Sequence, residues 1–468
     1  MVLSPGIGHL IPLTEFAKRL VINHPKFEVT IFIPNDGSPM KYPKQLLQAL
    51  PKSISTIFLP PVSFNDLPHD VDIETKIVLS VVRSLPALKH SIKVLLESTR
   101  LAALVVDLFG IEPVSDICKE LGIIKPYIFF PTNAMMLQLV FHMPKFDQTF
   151  SCESFSDLVE PLKLPGCVPL HGRDVPDPLR DKKSMAYEGT VQLCRCYSMA
   201  AGIMVNSFVE LQQGAFKALM MNQGQIPAVY PVGPLVQTGS SDGGVNESNN
   251  CCLKWLNEQP DGSVVYVSFG SGGTLSSQQM NELAMGLEMS GQRFLWVVKS
   301  PNDKAKNATF FSVDSVDDDP VHFLPNGFLE RTKGVGLVVP SWAPQVEVLS
   351  HGSTGGFITH CGWNSTLEAI VHGVPLVAWP LYAEQRMNAV ILSDDLKVAW
   401  RVKENENGLV GRDEIAKFVK GLIQGEEGKP LRDKMRKLKE AAKMALSPDG
   451  SSTKSLAKVA EIWNNQGK

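Results

Sequence analysis

The sequence predicts an α/β protein made of two doubly wound halves, each a mostly parallel sheet with helices on both faces. Three observations carry that prediction. Apolar, β-branched runs alternate with helical patterns through residues 1–235, a polar stretch interrupts at 236–250, and the same alternation restarts behind it. A chain of 468 residues is long enough for two or three domains with substantial cores.

In the first half, strands are predicted at FEVTIFIP from Phe27, STIFLPP from Ser55, LAALVVDLF from Leu101, PYIFFP from Pro126 and GIMVNSF from Gly202. VQTGSSDGGVNESNN, residues 236–250, is rich in Gly, Ser and Asn and has little to bury, so it reads as a linker. Behind it come SVVYVSFGS from Ser263, RFLWVV from Arg293, GLVVPSW from Gly336, GGFITH from Gly355 and VPLVAWP from Val374. Two halves of similar size predict a cleft between them. Residues 300–320 read as a surface insertion, and the DDDP at its end as solvent-facing carboxylates rather than a metal cluster.

Charge and composition exclude several classes. A formal net charge of -3 and a pI near 6.4 leave no electrostatic footprint for nucleic acid. The basic run at 429–443 carries Leu431, Met435, Leu438 and Ala442 at helical spacing, which makes its charges the wet face of an amphipathic helix. The eight cysteines include no C-x-x-C pair and no histidine at zinc-finger spacing, so they read as free thiols. The N-terminus lacks a basic n-region and is broken by Pro5, Gly6, Gly8 and Pro12, a poor signal peptide. No apolar run reaches membrane-spanning length. A cytoplasmic, monomeric protein with no membrane insertion is expected, and the glycosylation sequons at Asn307 and Asn364 are then chance matches.

The densest chemistry is HCGWNSTLEA, residues 360–369, a turn between the strand GGFITH and a helix-like run. Ser365 and Glu368 fit a capping box. A helix start preceded by Gly362 equally suits an anion such as phosphate. Capping accounts for neither His360, Trp363 nor Asn364. Two further loops follow the first strand of each half, SPGIGHLIPLTEFAKRL and FGSGGTLSSQQMNELAMGL. Neither is a dinucleotide fingerprint, because the third glycine falls at Ile11 and at Leu275, and no G-x-x-x-x-G-K-[ST] is present. A nicotinamide dehydrogenase and a P-loop ATPase are disfavoured.

Widened to residues 342–385, WAPQVEVLSHGSTGGFITHCGWNSTLEAIVHGVPLVAWPLYAEQ resembles, nearly residue for residue, the signature box of the plant UDP-sugar-dependent glycosyltransferases of secondary metabolism. The resemblance covers essentially the whole chain; SPGIGHLIP, ALVVDLFG, LPGCVP, YPVGPL and YVSFGSGGTL look most like the hydroquinone glucosyltransferase branch. It implies a GT-B fold of two facing Rossmann-like domains. The acceptor domain would span 1–235, the donor domain 251–450, and a final helix at 451–468 would cross back to the first.

The resemblance also assigns roles. Trp342 would stack on uracil, the backbone of Ala343 would read the uracil edge, and Gln345 and Glu368 would hold the ribose hydroxyls. His360, Asn364, Ser365 and Ser271 would meet the diphosphate, and Trp363, Glu384 and Gln385 the sugar. The closing glutamine goes with glucose, which makes UDP-glucose the favoured donor; Glu384 stands where many relatives have Asp. His9, which read alone would more often be structural, would on this resemblance be the general base, and Asp107 would orient it. At a helix start the dipole helps keep the imidazole neutral. The reaction implied is one inverting displacement needing no cofactor or metal.

Relatives carry more residues before SPG, so the short first strand formed by MVLS is expected to lower stability or activity relative to an N-terminally extended version. Met135, Met136, Phe141 and His142 are candidates for an apolar acceptor pocket, although their spacing also serves a core helix. The acceptor class stays open among hydroquinone-like phenols, monolignols, xenobiotic phenols and flavonoids, as does transfer to nitrogen or sulfur. A UDP-sugar-binding protein with weak or lost turnover is the alternative of a different class.

Overall fold

In a computed structural model of the chain, the described residues are 1–35, 46–67, 71, 73–123, 125–222, 224–237, 247–307 and 319–465. Most of the expected linker and of the expected insertion, with Asp317 and Asp318, lies outside them. The chain divides into two compact units, Met1–Gln237 with Ala442–Lys468, and Thr238–Ala441. Every pairing between named strands is parallel.

The first unit holds β1 (Val29–Asn35), β2 (Ile54–Pro61), β3 (Val105–Asp107), β4 (Tyr127–Phe130), β5 (Gly202–Val205) and β6 (Ala228–Pro231). β1 pairs with β2, and β3 to β6 form a ladder in sequence order. The N-terminal stub joins the two groups: Val2 bridges both Phe32 and Val106 in parallel. Val2 N donates to Val105 O at 2.8 Å, Asp107 N to Val2 O at 3.0 Å, and Leu3 N to Phe32 O at 3.0 Å. Residues 1–3 thus lie between β1 and β3, and the loop that follows them leaves beside the end of β3, which places His9 and Asp107 at the carboxyl ends of neighbouring segments of the sheet.

The helix Ile7–Asn23 buries Leu10, Leu13, Phe16, Ala17, Leu20 and Val21 on one face, the spacing that makes it amphipathic. The last helix, Ser451–Asn465, inserts Leu456, Val459, Ala460 and Trp463 into that same core. Trp463 meets Phe16, Phe27 and Tyr127 edge-on, with centroids 6.4, 6.3 and 5.3 Å away.

The second unit carries β7 (Val264–Ser268), β8 (Arg293–Val298), β9 (Gly336–Pro340), β10 (Thr354–Thr359), β11 (Leu376–Ala378) and β12 (Ala399–Arg401) in the order β12-β11-β10-β7-β8-β9. The central strand β7 is buried throughout, as a parallel strand covered on both faces must be. From β7 the chain runs outward through β8 and β9, then returns to pair β10 on the other side. The loops after β7 and β10 therefore leave in opposite directions at the switch point, where α/β sheets place their ligands. β6 and β12 were not anticipated from sequence: four residues ending in Pro231 and three ending in Arg401 are too short to show a period.

Candidate active site

The first constellation stands on the first unit. His9 is the third residue of its helix, and its Nδ1 lies 2.7 Å from Asp107 Oδ2. Asp107 is fully buried, whereas the His9 side chain keeps 16% of its surface exposed. The carboxylate collects two backbone donors as well: Ser4 N reaches Oδ2 at 3.2 Å, and Leu108 N reaches Oδ1 at 2.7 Å. An acceptor-only carboxylate facing Nδ1 places the ring proton on Nδ1 and makes Nε2 the nitrogen that carries the lone pair. Phe109 flanks the imidazole, with ring centroids 5.9 Å apart.

The second constellation gathers the loops at the carboxyl ends of β7, β9, β10 and β11. The helix Trp363–His372 begins directly after the turn, with Gly362 as N-cap and no side-chain cap. This corrects the capping-box reading of Ser365 and Glu368: both are helical, and both turn to Gln345 instead. Gln345 Nε2 donates to Ser365 Oγ at 2.9 Å and to Glu368 Oε2 at 2.6 Å, while Tyr266 OH lies 3.4 Å from Gln345 Oε1. Burial pushes the Glu368 carboxyl up to about 7, so near neutral pH it is only partly the acceptor-only group expected. Its first-turn amides, on Trp363, Asn364 and Ser365, point along the helix axis toward the turn, a ready anion site.

His360 is the buried centre of this turn. Its imidazole fills the space a Cβ would occupy at Gly270, 2.5 Å from the ring, and at Gly362, 2.4 Å from Nε2. Glycine is needed at both for that close approach, and Gly270 also has φ 73°. Burial, with Lys299 nearby, lowers the His360 pKa to about 3, so the ring is neutral at working pH. Its Nδ1 has no hydrogen-bond partner among the described residues.

The remaining sequence candidates are placed as follows. Trp342 is 40% exposed and follows Ser341 at φ 62°; Ala343 beside it is buried. Ser271 is exposed on a Gly-rich loop whose next residues, Gly272 to Leu275, are buried, and Lys299 Nζ donates to its carbonyl and, at 2.7 Å, to that of Gly270. Trp363 is buried and Asn364 half-buried. Gln385 uses Oε1 to accept from Leu381 N at 2.9 Å and Tyr382 N at 3.0 Å. Glu384 accepts from Asn388 Nδ2 at 3.2 Å.

On the helix Ala134–Thr149, Met135 is core, whereas Met136, Phe141 and His142 are half-buried. His142 Nδ1 lies 2.8 Å from Gln138 O, which engages one of its two nitrogens. Sequence reasoning missed the residues that hold the site. Fully buried Asn388 ties the loop after β10 to that after β11 by donating to Cys361 O at 2.9 Å; a lone amide within the apolar run after Arg386 was the available signal. Tyr266, stacked on Phe357 with centroids 5.0 Å apart, gave none. No group of three or more His, Cys, Asp or Glu that could hold a metal occurs among the described residues.

Two Rossmann-like units with parallel sheets, one presenting a histidine–carboxylate pair and the other a helix-start anion site beside an aromatic face, define a GT-B glycosyltransferase that draws on a nucleotide sugar. The chain belongs to the UDP-glycosyltransferase family: residues 211–430 match the model described as "UDP-glucoronosyl and UDP-glucosyl transferase". It is 58% identical to a hydroquinone glucosyltransferase of Rauvolfia serpentina, over 100% of this chain and 97% of that protein. Among solved structures it is similar to Phytolacca americana UGT2 complexed with UDP-2-fluoro-glucose and pterostilbene, at 49% identity and TM-score 0.88, covering 99% of both chains. A Polygonum tinctorium UDP-glucosyltransferase capable of glucosylating indoxyl, in complex with 3,4-dichloroaniline, matches at 50% identity and TM-score 0.90, over 99% of this chain and 98% of that one. The protein is a UDP-glycosyltransferase. No described helix is long and apolar enough to cross a membrane.

Proposed function

We propose that the protein transfers glucose from UDP-glucose to the hydroxyl of a small phenol, with inversion, giving a β-glucoside and UDP. The observation that carries this reading is the 2.7 Å pairing of His9 Nδ1 with buried Asp107, which leaves Nε2 as a base. The names of the relatives, hydroquinone glucosyltransferase among them, support glucose and a phenol.

As the phenol oxygen attacks the anomeric carbon, its proton passes to His9 Nε2, and Asp107 stabilises the imidazolium that forms. The bond from that carbon to the phosphate oxygen breaks, and its electron pair leaves with UDP. Attack opposite the leaving group turns an α-linked donor into a β-linked product. Negative charge on the departing diphosphate is met by the first-turn amides of the helix Trp363–His372, by neutral His360 and by Ser271. Trp342 stacks on uracil, Gln345 and Glu368 take the ribose, and Gln385 with Glu384 reads the sugar. The first unit supplies the acceptor site, with Met136 and Phe141 as wall candidates.

The test is UDP release from UDP-glucose with hydroquinone, with a chelator present and a no-acceptor control, followed by assignment of the anomeric configuration of the product. Acceptor-dependent release that survives chelation, with a β-product, supports the reading; release abolished by the chelator, or an α-product, overturns it. Because the Polygonum tinctorium relative is seen with an aromatic amine, 3,4-dichloroaniline belongs in the same acceptor panel as a test of transfer to nitrogen.

A further inference from the structure

We propose that Tyr197 is a positioning residue for proton transfer at His9, acting through Leu108 and the Asp107 carboxylate. The inference rests on the reading of His9 as the base. Asp107 ends β3, and the chain then turns at once into the helix Ile111–Leu121, with Gly110 N donating to Asp107 O at 2.9 Å. The tip of that turn, Leu108 and Phe109, is only half-buried, yet it carries two elements of the dyad. The Leu108 amide holds Asp107 Oδ1 at 2.7 Å, and the Phe109 ring lies against His9. A turn this short has few internal bonds with which to hold its own tip.

Tyr197 supplies the missing anchor. It follows the helix Met185–Cys196, is 1% exposed, and its hydroxyl donates to Leu108 O at 3.2 Å. Its ring is fixed edge-on by Phe130 and Phe141, at 5.9 and 6.4 Å and near-perpendicular angles. Leu108 is therefore tied at both backbone groups, its N–H to the carboxylate and its C=O to the tyrosine. A line of hydrogen bonds runs from Tyr197 OH through the Leu108 backbone to Asp107 and on to His9 Nδ1. Burial raises the phenol pKa well above its ordinary value, so the hydroxyl remains a donor throughout the working pH range. With the carboxylate held in one orientation, the Nδ1 tautomer of His9 and the direction of its Nε2 are fixed before substrate arrives.

Tyr197→Phe removes only the hydroxyl and keeps the ring packing. Kcat is expected to fall about two- to tenfold, the worth of one hydrogen bond, while the Kd for UDP stays unchanged. In an Asp107→Ala background, where no carboxylate is left to position, adding Tyr197→Phe should reduce the residual turnover no further. The proposal is overturned if Tyr197→Phe keeps full kcat, or if it lowers turnover by the same factor with and without Asp107. A purely structural tyrosine would lower the Tm and leave kcat per folded enzyme as it was. His9→Ala, run alongside, separates the two levels: full turnover in that variant sinks the base reading, whereas its loss beside an unaffected Tyr197→Phe sinks this inference alone.

Discussion

Gln345 Nε2 lies 2.6 Å from Glu368 Oε2, so an amide that opens the short helix Gln345–Ser350 after β9 is locked onto the helix after β10. The carboxyl it holds is buried, and burial raises its pKa from the ordinary 4.5 to about 7 despite the favourable bond from Gln345. A carboxyl with a raised folded-state pKa binds more protons folded than unfolded. Its contribution to stability is therefore full below about pH 4.5 and is lost as pH rises through about 7. That span corresponds to a limit on the order of 3 kcal/mol. In Glu368→Gln the decline of Tm between pH 5 and pH 7 should flatten, read as the difference between two melting series. If Glu368 accepts from ribose hydroxyls, binding favours its ionised form. Uridine, which does not titrate in this range, should then bind wild type more tightly at pH 7.5 than at pH 6, and Glu368→Gln equally at both.

His9 and Asp107 should separate chemistry from donor binding. Removing a positioned base costs about 10²–10⁴-fold in turnover, and His9→Ala should lose that much while the Kd for UDP stays within about twofold. Asp107→Asn keeps an oxygen for the Leu108 amide but puts a neutral partner opposite Nδ1 and frees the other tautomer. A loss of about 10²-fold or more is expected, with UDP binding again intact. Steady-state kinetics beside calorimetric titration of UDP checks both, and a coincident loss of UDP affinity would count against the division of labour.

Much of this architecture could be read from residue order, and the failures have physical causes. Strands such as RFLWVV and GGFITH announce themselves because parallel strands covered on both faces must be apolar along their length. The three residues of β12 carry no period, and one of them is Arg401. Ser365 and Glu368 satisfy the capping spacing, but where a helix begins is set by the backbone of the turn, and the start at Trp363 moves both residues inside. The residues that hold the site are hidden for a different reason. Tyr266 meets Gln345 across 79 positions, Tyr197 meets Leu108 across 89, and Asn388 meets Cys361 across 27. No local pattern encodes partners so far apart.

The glycines around His360 offer a steric test. A methyl at Gly362 would lie 2.4 Å from His360 Nε2, and one at Gly270 2.5 Å from the ring, with a left-handed backbone adding strain at the latter. Gly270→Ala is expected to cost about 1–3 kcal/mol of stability, and both variants to weaken UDP binding at least about tenfold by displacing the imidazole. Gly291→Ala is the control: its φ of 63° is similarly strained, yet a methyl there meets nothing within 4 Å. It should lower the Tm and leave UDP affinity alone. Equal loss of affinity in all three variants would show that His360 is not the reason.

On the proposed reading Gln385 has two jobs for two atoms, and substitution can divide them. Its Oε1 accepts from Leu381 N and Tyr382 N, holding the loop after β11, so only Nε2 is left to meet a sugar hydroxyl. Gln385→Glu keeps an oxygen for those backbone amides and removes the side-chain donor. It should retain most of the Tm while the KM for UDP-glucose rises about five- to tenfold, with UDP itself binding as before because it lacks the sugar. Gln385→Leu removes both functions, leaves one buried and one partly buried amide without that acceptor, and should cost about 1–3 kcal/mol of stability in addition. If the two variants lose the same KM and the same Tm, the side chain is a loop staple only, and sugar reading must be assigned elsewhere on this loop.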